Sequence, residues 1–246
     1  MKNFKFIIAL ALFAIATATP NANAATPKRQ DNPVKFTIRI ENISVADGQT
    51  AKNGAKWSFA LSPGLWVLDQ KKFVLFTEGK PASKGIEAQA EDGMPMMLVD
   101  ELAVANHASF LHGVFNTPAA AMAPGPIRPG ENYEFTFTAR PGMKLMLVMM
   151  NGQSNDEFYA PEVGGIALFD TNGNALTGDV TRKFILWDAG TEVNEELGVG
   201  ANQGPRQSAV NTGADEHGVV RRAKNEAIYD HTIHLFRVTI APERAM

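Results

Sequence analysis

Val34-Lys35-Phe36-Thr37-Ile38-Arg39-Ile40-Glu41-Asn42 reads as a β-strand with one buried face. Phe36, Ile38 and Ile40 alternate with Lys35, Thr37, Arg39 and Glu41. Successive side chains of an extended strand point to opposite faces, so this period of two buries one face and wets the other. Further strands are expected at Trp57 to Leu61, Phe73 to Thr77, Tyr133 to Ala139, Lys144 to Met150, Ile166 to Phe169 and His231 to Ile240. Turn signals such as Asp47-Gly48, Asn53-Gly54, Arg128-Pro129-Gly130, Arg140-Pro141-Gly142 and Asn172-Gly173-Asn174 separate several of them. Met97, Leu98, Glu101 and Leu102 fit helical spacing, which places one short helix at Pro95 to Val104 over a sheet edge. Many short strands with few helical patterns predict an all-β chain, an antiparallel β-sandwich or barrel with short helical and loop insertions.

Met143 to Met150 is apolar throughout and rich in methionine. Such a run is either a soft surface for a metal or apolar ligand, or a strand buried on both faces; methionine as a core filler favours the second.

The N-terminus carries a different pattern. Lys2 and Lys5 precede an apolar run from Phe6 to Ala16, and Ala22-Asn23-Ala24 follows as a small-residue cleavage pattern. Residues 1–24 therefore read as a secretory signal; the apolar run falls short of the roughly 20 residues that a membrane-spanning helix needs. Ala25 to Pro33 is a short polar lead, and residues 34–246 form one domain, with no internal repeat and no linker. The expected location is secreted or periplasmic, with no transmembrane segment in the mature chain.

Without the leader the chain holds 21 basic against 26 acidic residues, a formal charge of −5. That balance argues against nucleic acid as a partner, which calls for a basic face. Cysteine is absent, so the core, or the core with a bound ion, must hold the fold without disulfides. Gly198 to Gly218, rich in Gly, Asn and Gln, reads as a long polar loop.

Two segments concentrate carboxylates: Asn151 to Glu162, with Asp156, Glu157 and Glu162, and Trp187 to Glu196, with Asp188, Glu192, Glu195 and Glu196. Each begins where an apolar run stops, so each is expected as a loop at the end of a strand. Asp156, Asp188 and Glu192 offer oxygen ligands only, the donor set of a hard cation such as calcium, and Gly190 allows a tight bend between the last two. Glu195 and Glu196 enlarge such a site or only add negative potential. Acidic loops are also commonly just solvated, so spacing alone leaves both readings open. Trp187 reads as a core anchor, and Phe158 and Tyr159 as aromatics tucked beneath the loop rather than contact tips.

Four segments together resemble the N-terminal domain of spondins: Phe36 to Ser44, Gly79 to Ile86, Ser154 to Phe158, and Trp187-Asp188-Ala189-Gly190-Thr191-Glu192. They occur in the family's order and span Phe36 to Ile240, and the last string is the most specific. The resemblance implies a C2-like β-sandwich in an exported module for adhesion or ligand binding, with one calcium ion held by loops at one end. Carried over by position, the ligands are Asp156, Asp188 and Glu192. The animal domains place an aspartate where Glu192 stands and contain cysteines that this chain lacks, so their roles in cell guidance are not transferred. The implied partner is a protein, a glycan or a membrane surface.

The same carboxylates allow a second reading. Paired acids among Asp156, Glu157, Glu162, Asp188 and Glu192 could serve glycoside hydrolysis, in which one carboxyl acts as acid and the other as base or nucleophile. The sequence adds no sign of a sugar cleft. There is no nucleophile elbow, no phosphate-binding loop, and no metalloprotease motif among His107, His112, His217, His231 and His234. A non-enzymatic calcium module is the expectation, with an extracytoplasmic hydrolase or a purely structural domain without metal as the alternatives.

Overall fold

The computed structural model describes residues 32–69, 74–104, 110–223 and 232–243. The leader at residues 1–24, nearly all of the polar lead, Phe73, His107 and His231 lie outside the described residues. In chain order the elements are β1 (Val34–Asn42), β2 (Gln49–Thr50), β3 (Lys56–Trp57), β4 (Leu61–Asp69), α1 (Lys84–Asp92), α2 (Met96–Val104), β5 (Leu111–Phe115), β6 (Asn132–Ala139) and β7 (Lys144–Asn151). They continue with β8 (Glu157–Pro161), β9 (Ile166–Ala167), β10 (Gly178–Asp179), β11 (Phe184–Asp188), β12 (Arg221–Arg222), α3 (Thr232–Leu235) and β13 (Phe236–Pro242).

Two antiparallel sheets carry the fold, in the orders β10-β13-β1-β6 and β12-β11-β8-β7-β4-β5, with β9 added beside β7. β2 and β3 form a separate short hairpin. β1 lies between β6 and β13, with Ile38 opposite Phe135 on one side and Ile240 on the other. Its alternation does what the sequence predicts: Phe36, Ile38 and Ile40 are fully buried while Lys35, Thr37, Arg39 and Glu41 are not.

The main core fills the space between the sheets. Phe36, Ile38, Tyr133 and Val238 of the smaller sheet meet Leu145, Leu147, Met149, Tyr159 and Leu186 of the larger one. The all-β sandwich expected from the sequence is therefore the architecture observed. A second apolar layer covers the outer face of the larger sheet, where Ile86 and Ala90 of α1 and Leu98 and Leu102 of α2 pack over Val67, Met146, Val148, Phe158 and Trp187. β7 is thus buried on both faces, which explains its unbroken apolar run.

The helix expected at Pro95 to Val104 is α2. Several other boundaries differ from expectation. The Trp57 to Leu61 strand divides into the end of β3 and the start of β4, and β4 runs on through Pro63 with a register shift between Leu61 and Gly64. Val74 to Thr77 has no strand pairing, Ile166 to Phe169 is a strand only over its first two residues, and a helical turn precedes β13. The Asn151 to Glu162 segment is not one loop: Asn151 ends β7, a tight turn follows, and Glu157–Pro161 is the fully buried strand β8.

Candidate metal centre

Asp156 and Asp188 occupy neighbouring strand ends. β8 and β11 pair with Trp187 opposite Phe158 and Asp188 opposite Glu157, and the Ala189 N–H donates to the Asp156 carbonyl at 3.0 Å. Trp187 fixes this end of β11: it is fully buried, donates from Nε1 to the Ala160 carbonyl at 3.2 Å, and packs edge-on against Phe76. Phe158 and Tyr159 are likewise buried, so the aromatics of this region are supports, as the sequence suggests.

The third side of the site comes from far along the chain. Residues 213–218 run antiparallel beside 190–193: Val193 N–H donates to Ala214, Glu216 N–H to Thr191, and Gly218 N–H to Gly190. Gly190 makes the approach possible. Its φ is +68°, and a Cβ there would lie 2.6 Å from the backbone N and O of Val219. This pairing brings Glu216 to the two aspartates, so that one carboxylate oxygen from each of Asp156, Asp188 and Glu216 lies within 4.8 Å of the others.

The partners of these oxygens are unequal. Asp156 has no exposed surface; Oδ2 accepts from the Thr191 and Glu192 N–H groups at 3.1 and 3.2 Å, while Oδ1 is buried without a hydrogen bond. Asp188, 1% exposed, accepts from Gly190 N–H at Oδ1 and from Asn194 Nδ2 at Oδ2, both at 2.8 Å. Glu216 is partly exposed and forms the outer rim. Burial pushes the Asp156 carboxyl up to about 7, the charge of Asp188 pushes the same way, and the two N–H donors oppose it.

A cation of this chain already touches the cluster. Arg221 Nη2 lies 2.8 Å from Asp188 Oδ2 and 2.7 Å from Glu216 Oε2, placed there because β12 pairs Arg221 opposite Asp188. The adjacent Arg222 sits 5.3 Å above the Trp187 ring and pairs with Glu162. The acidic segments thus have basic neighbours in space that they lack in sequence. Three carboxylates stand against one guanidinium, and one of their oxygens, Asp156 Oδ1, is buried without a hydrogen-bond partner.

Of the residues singled out in the sequence, the fold gathers Asp156 and Asp188, and the third carboxylate oxygen within 4.8 Å of theirs belongs to Glu216. Glu192 is buried close by. Its Oε1 accepts from the Gly213 N–H at 2.8 Å, Oε2 has no hydrogen-bond partner, and burial raises its pKa. Glu91 of α1, also buried, is pushed to about 7, first by burial and further by the charge of Glu192. Glu195 accepts from the backbone and side chain of Asn202, and Glu196 from the Lys52 N–H, so both brace loops. Gly198 to Gly218 is tied down by Gly198 N–H to Gln153 O and by Gln207 to Asp92. Glu216 had one sequence signal, the step Asp215-Glu216 within an otherwise uncharged stretch shortly before the pair Arg221-Arg222.

The chain is thus an all-β sandwich carrying three clustered carboxylates, two of them buried, that could hold a metal ion. The oxygen-only donors fit a hard cation, and the unpartnered Oδ1 of Asp156 is what such an ion would complete. No protein-family model matches the chain, and no curated protein matches it.

Proposed function

We propose that this protein is an exported, non-enzymatic module of spondin-like type, in which one calcium ion held by Asp156, Asp188 and Glu216 orders a loop end used for adhesion or ligand binding. The carrying observation is the buried Asp156 Oδ1 without a partner beside two further carboxylates. A carboxylate oxygen removed from water costs free energy unless a proton, donor or cation meets it. Calcium is preferred over zinc because every donor is oxygen and because backbone N–H groups already fix Asp156 and Asp188. The leader-like residues 1–24 support export, and among the described residues no helix is long and apolar enough to cross a membrane.

Two features favour binding over hydrolysis. A cleft of about 360 Å³, lined by Phe59, Pro63, Asp92, Arg128, Met150 and Pro205, lies against other residues than the carboxylate group. Arg221 also engages two of the three carboxylates directly, so Asp188 and Glu216 already serve as its counter-ions.

Thermal unfolding of the purified protein in chelator and in excess calcium tests the proposal. An ion that binds only the folded chain raises stability by about 2.7 kcal/mol at a concentration 100 times its Kd. Wild-type protein should melt higher in calcium and Asp188→Asn should not; equal melting of the wild type in both conditions rejects the ion.

A further inference from the structure

Arg221 holds the cation position itself. Its Nη2 contacts Asp188 Oδ2 at 2.8 Å and both oxygens of Glu216 at 2.7 and 2.9 Å. A calcium ion takes its oxygens at about 2.3–2.6 Å. An ion bridging Asp188 and Glu216 would therefore claim nearly the same point as this nitrogen, and two cations cannot share it. We infer that Arg221 is a tethered counter-cation that exchanges with the divalent ion, so that its guanidinium sets the affinity of the site. The inference rests on the cation reading of the Asp156, Asp188 and Glu216 group.

Three further observations fit an exchange rather than a permanent structural pair. First, Arg221 reaches only two of the three carboxylates: Asp156 Oδ1 stays unpartnered, so the resting state is incomplete on the inner side. Second, Arg221 Nε is itself buried without an acceptor, so the arginine is not fully satisfied where it rests. A buried guanidinium N–H with no acceptor costs free energy, which lowers the barrier to leaving. Third, the way out is open, since 23% of the Arg221 side chain is exposed.

The fold also makes room for the arginine. A Cβ at Gly218 would lie 3.0 Å from Arg221 Nη1, so the missing side chain is part of the guanidinium's seat. With the arginine in place the chain stays folded without metal, because one positive charge relieves the repulsion among three acids. With calcium in place the same charge is free at the rim, beside Glu216 and His217, and changes the surface a partner meets. Loading then alters both the inside and the outside of this end of the sandwich.

Calorimetric titration with calcium chloride of chelator-treated wild type, Arg221→Gln and Arg221→Lys tests the exchange. Glutamine removes the competing charge, and Arg221→Gln should bind at least tenfold more tightly than wild type. Lysine keeps the charge but loses the fork, and Arg221→Lys should fall between them. Folded Arg221→Gln with equal or weaker affinity overturns the exchange while leaving the cation site standing. Absence of binding in all three proteins overturns the cation site and the exchange together. Should Arg221→Gln not fold, the Nε–H of Arg221 in the wild type carries the test by NMR: its slow solvent exchange should become fast on calcium addition, and unchanged exchange at saturation overturns the inference.

Discussion

Replacing Asp156 with asparagine should make the metal-free protein more stable at alkaline pH, although it destroys the site. The folded chain raises this carboxyl from the ordinary 3.8 to about 7. Folding then takes up a proton between those values, so stability falls as pH rises from about 4 to 7, and the full penalty holds above that window. At about 1.4 kcal/mol for each pH unit, the shift amounts to roughly 4 kcal/mol. Asp156 has no exposed surface, so solvent does not screen this penalty away. Asparagine keeps an oxygen for the Thr191 and Glu192 N–H groups and carries no charge, but its amide hydrogens need new acceptors. Allowing half for that loss, Asp156→Asn should gain about 2 kcal/mol at pH 8, which corresponds to about 4–8 °C in a domain of this size. Thermal unfolding in chelator at pH 8 and pH 4 provides the assay. The difference should be present at pH 8 and close or reverse near pH 4, where the wild-type carboxyl is protonated. Glu91 shifts the same way in both proteins and cancels from the comparison. A variant that melts below wild type at pH 8 in chelator would mean that the buried Asp156 carboxylate carries no such penalty.

Other expectations separate the roles of neighbouring residues. Glu216→Gln should weaken calcium binding at least tenfold in a calorimetric titration, whereas Glu192→Gln, whose carboxylate caps the Gly213 N–H, should change it by less than about threefold. Leu147→Ala removes a fully buried side chain between the sheets and should cost about 2–5 kcal/mol in urea unfolding, with little change in the slope. Ser83→Ala removes the oxygen that accepts from Ile86 N–H at the start of α1 and should cost about 1 kcal/mol by the same measurement.

Where one face of a strand is wet, as in β1, the alternation of the sequence predicts both the strand and its orientation. β4 defeats that signal. It is buried on both faces and bulges at Ser62 and Pro63, so neither period nor turn residues mark it. β8 begins at Glu157, a carboxylate held by Asn151 inside the protein, and polar residues at a strand start read as loop. α1 has weak apolar spacing in Ile86 and Ala90, and only its caps, Ser83 and Gly93, announce it. These misses share a cause: tertiary burial, not local preference, decides them.

Asp156 and Asp188 were legible because each lies in an acidic segment that follows an apolar run, and the antiparallel pairing of β8 with β11 sets the start of one strand beside the end of the other. Glu216 was not, because its position depends on residues 213–218 pairing with 190–193, more than twenty residues earlier and without a local pattern. Arg221 was hidden for the same reason. Its charge reaches Asp188 through the ladder between β11 and β12. The sequence shows the carboxylates, while the topology decides which of them meet.

In the proposed function Asp156, Asp188 and Glu216 together hold one cation. Calorimetric titration of chelator-treated protein with calcium, with magnesium as control and Asp156→Asn/Asp188→Asn as blank, tests it most directly. Wild-type protein should bind calcium saturably, and the folded double variant should not bind it. Absence of heat at millimolar calcium, or equal binding by the double variant, would contradict it.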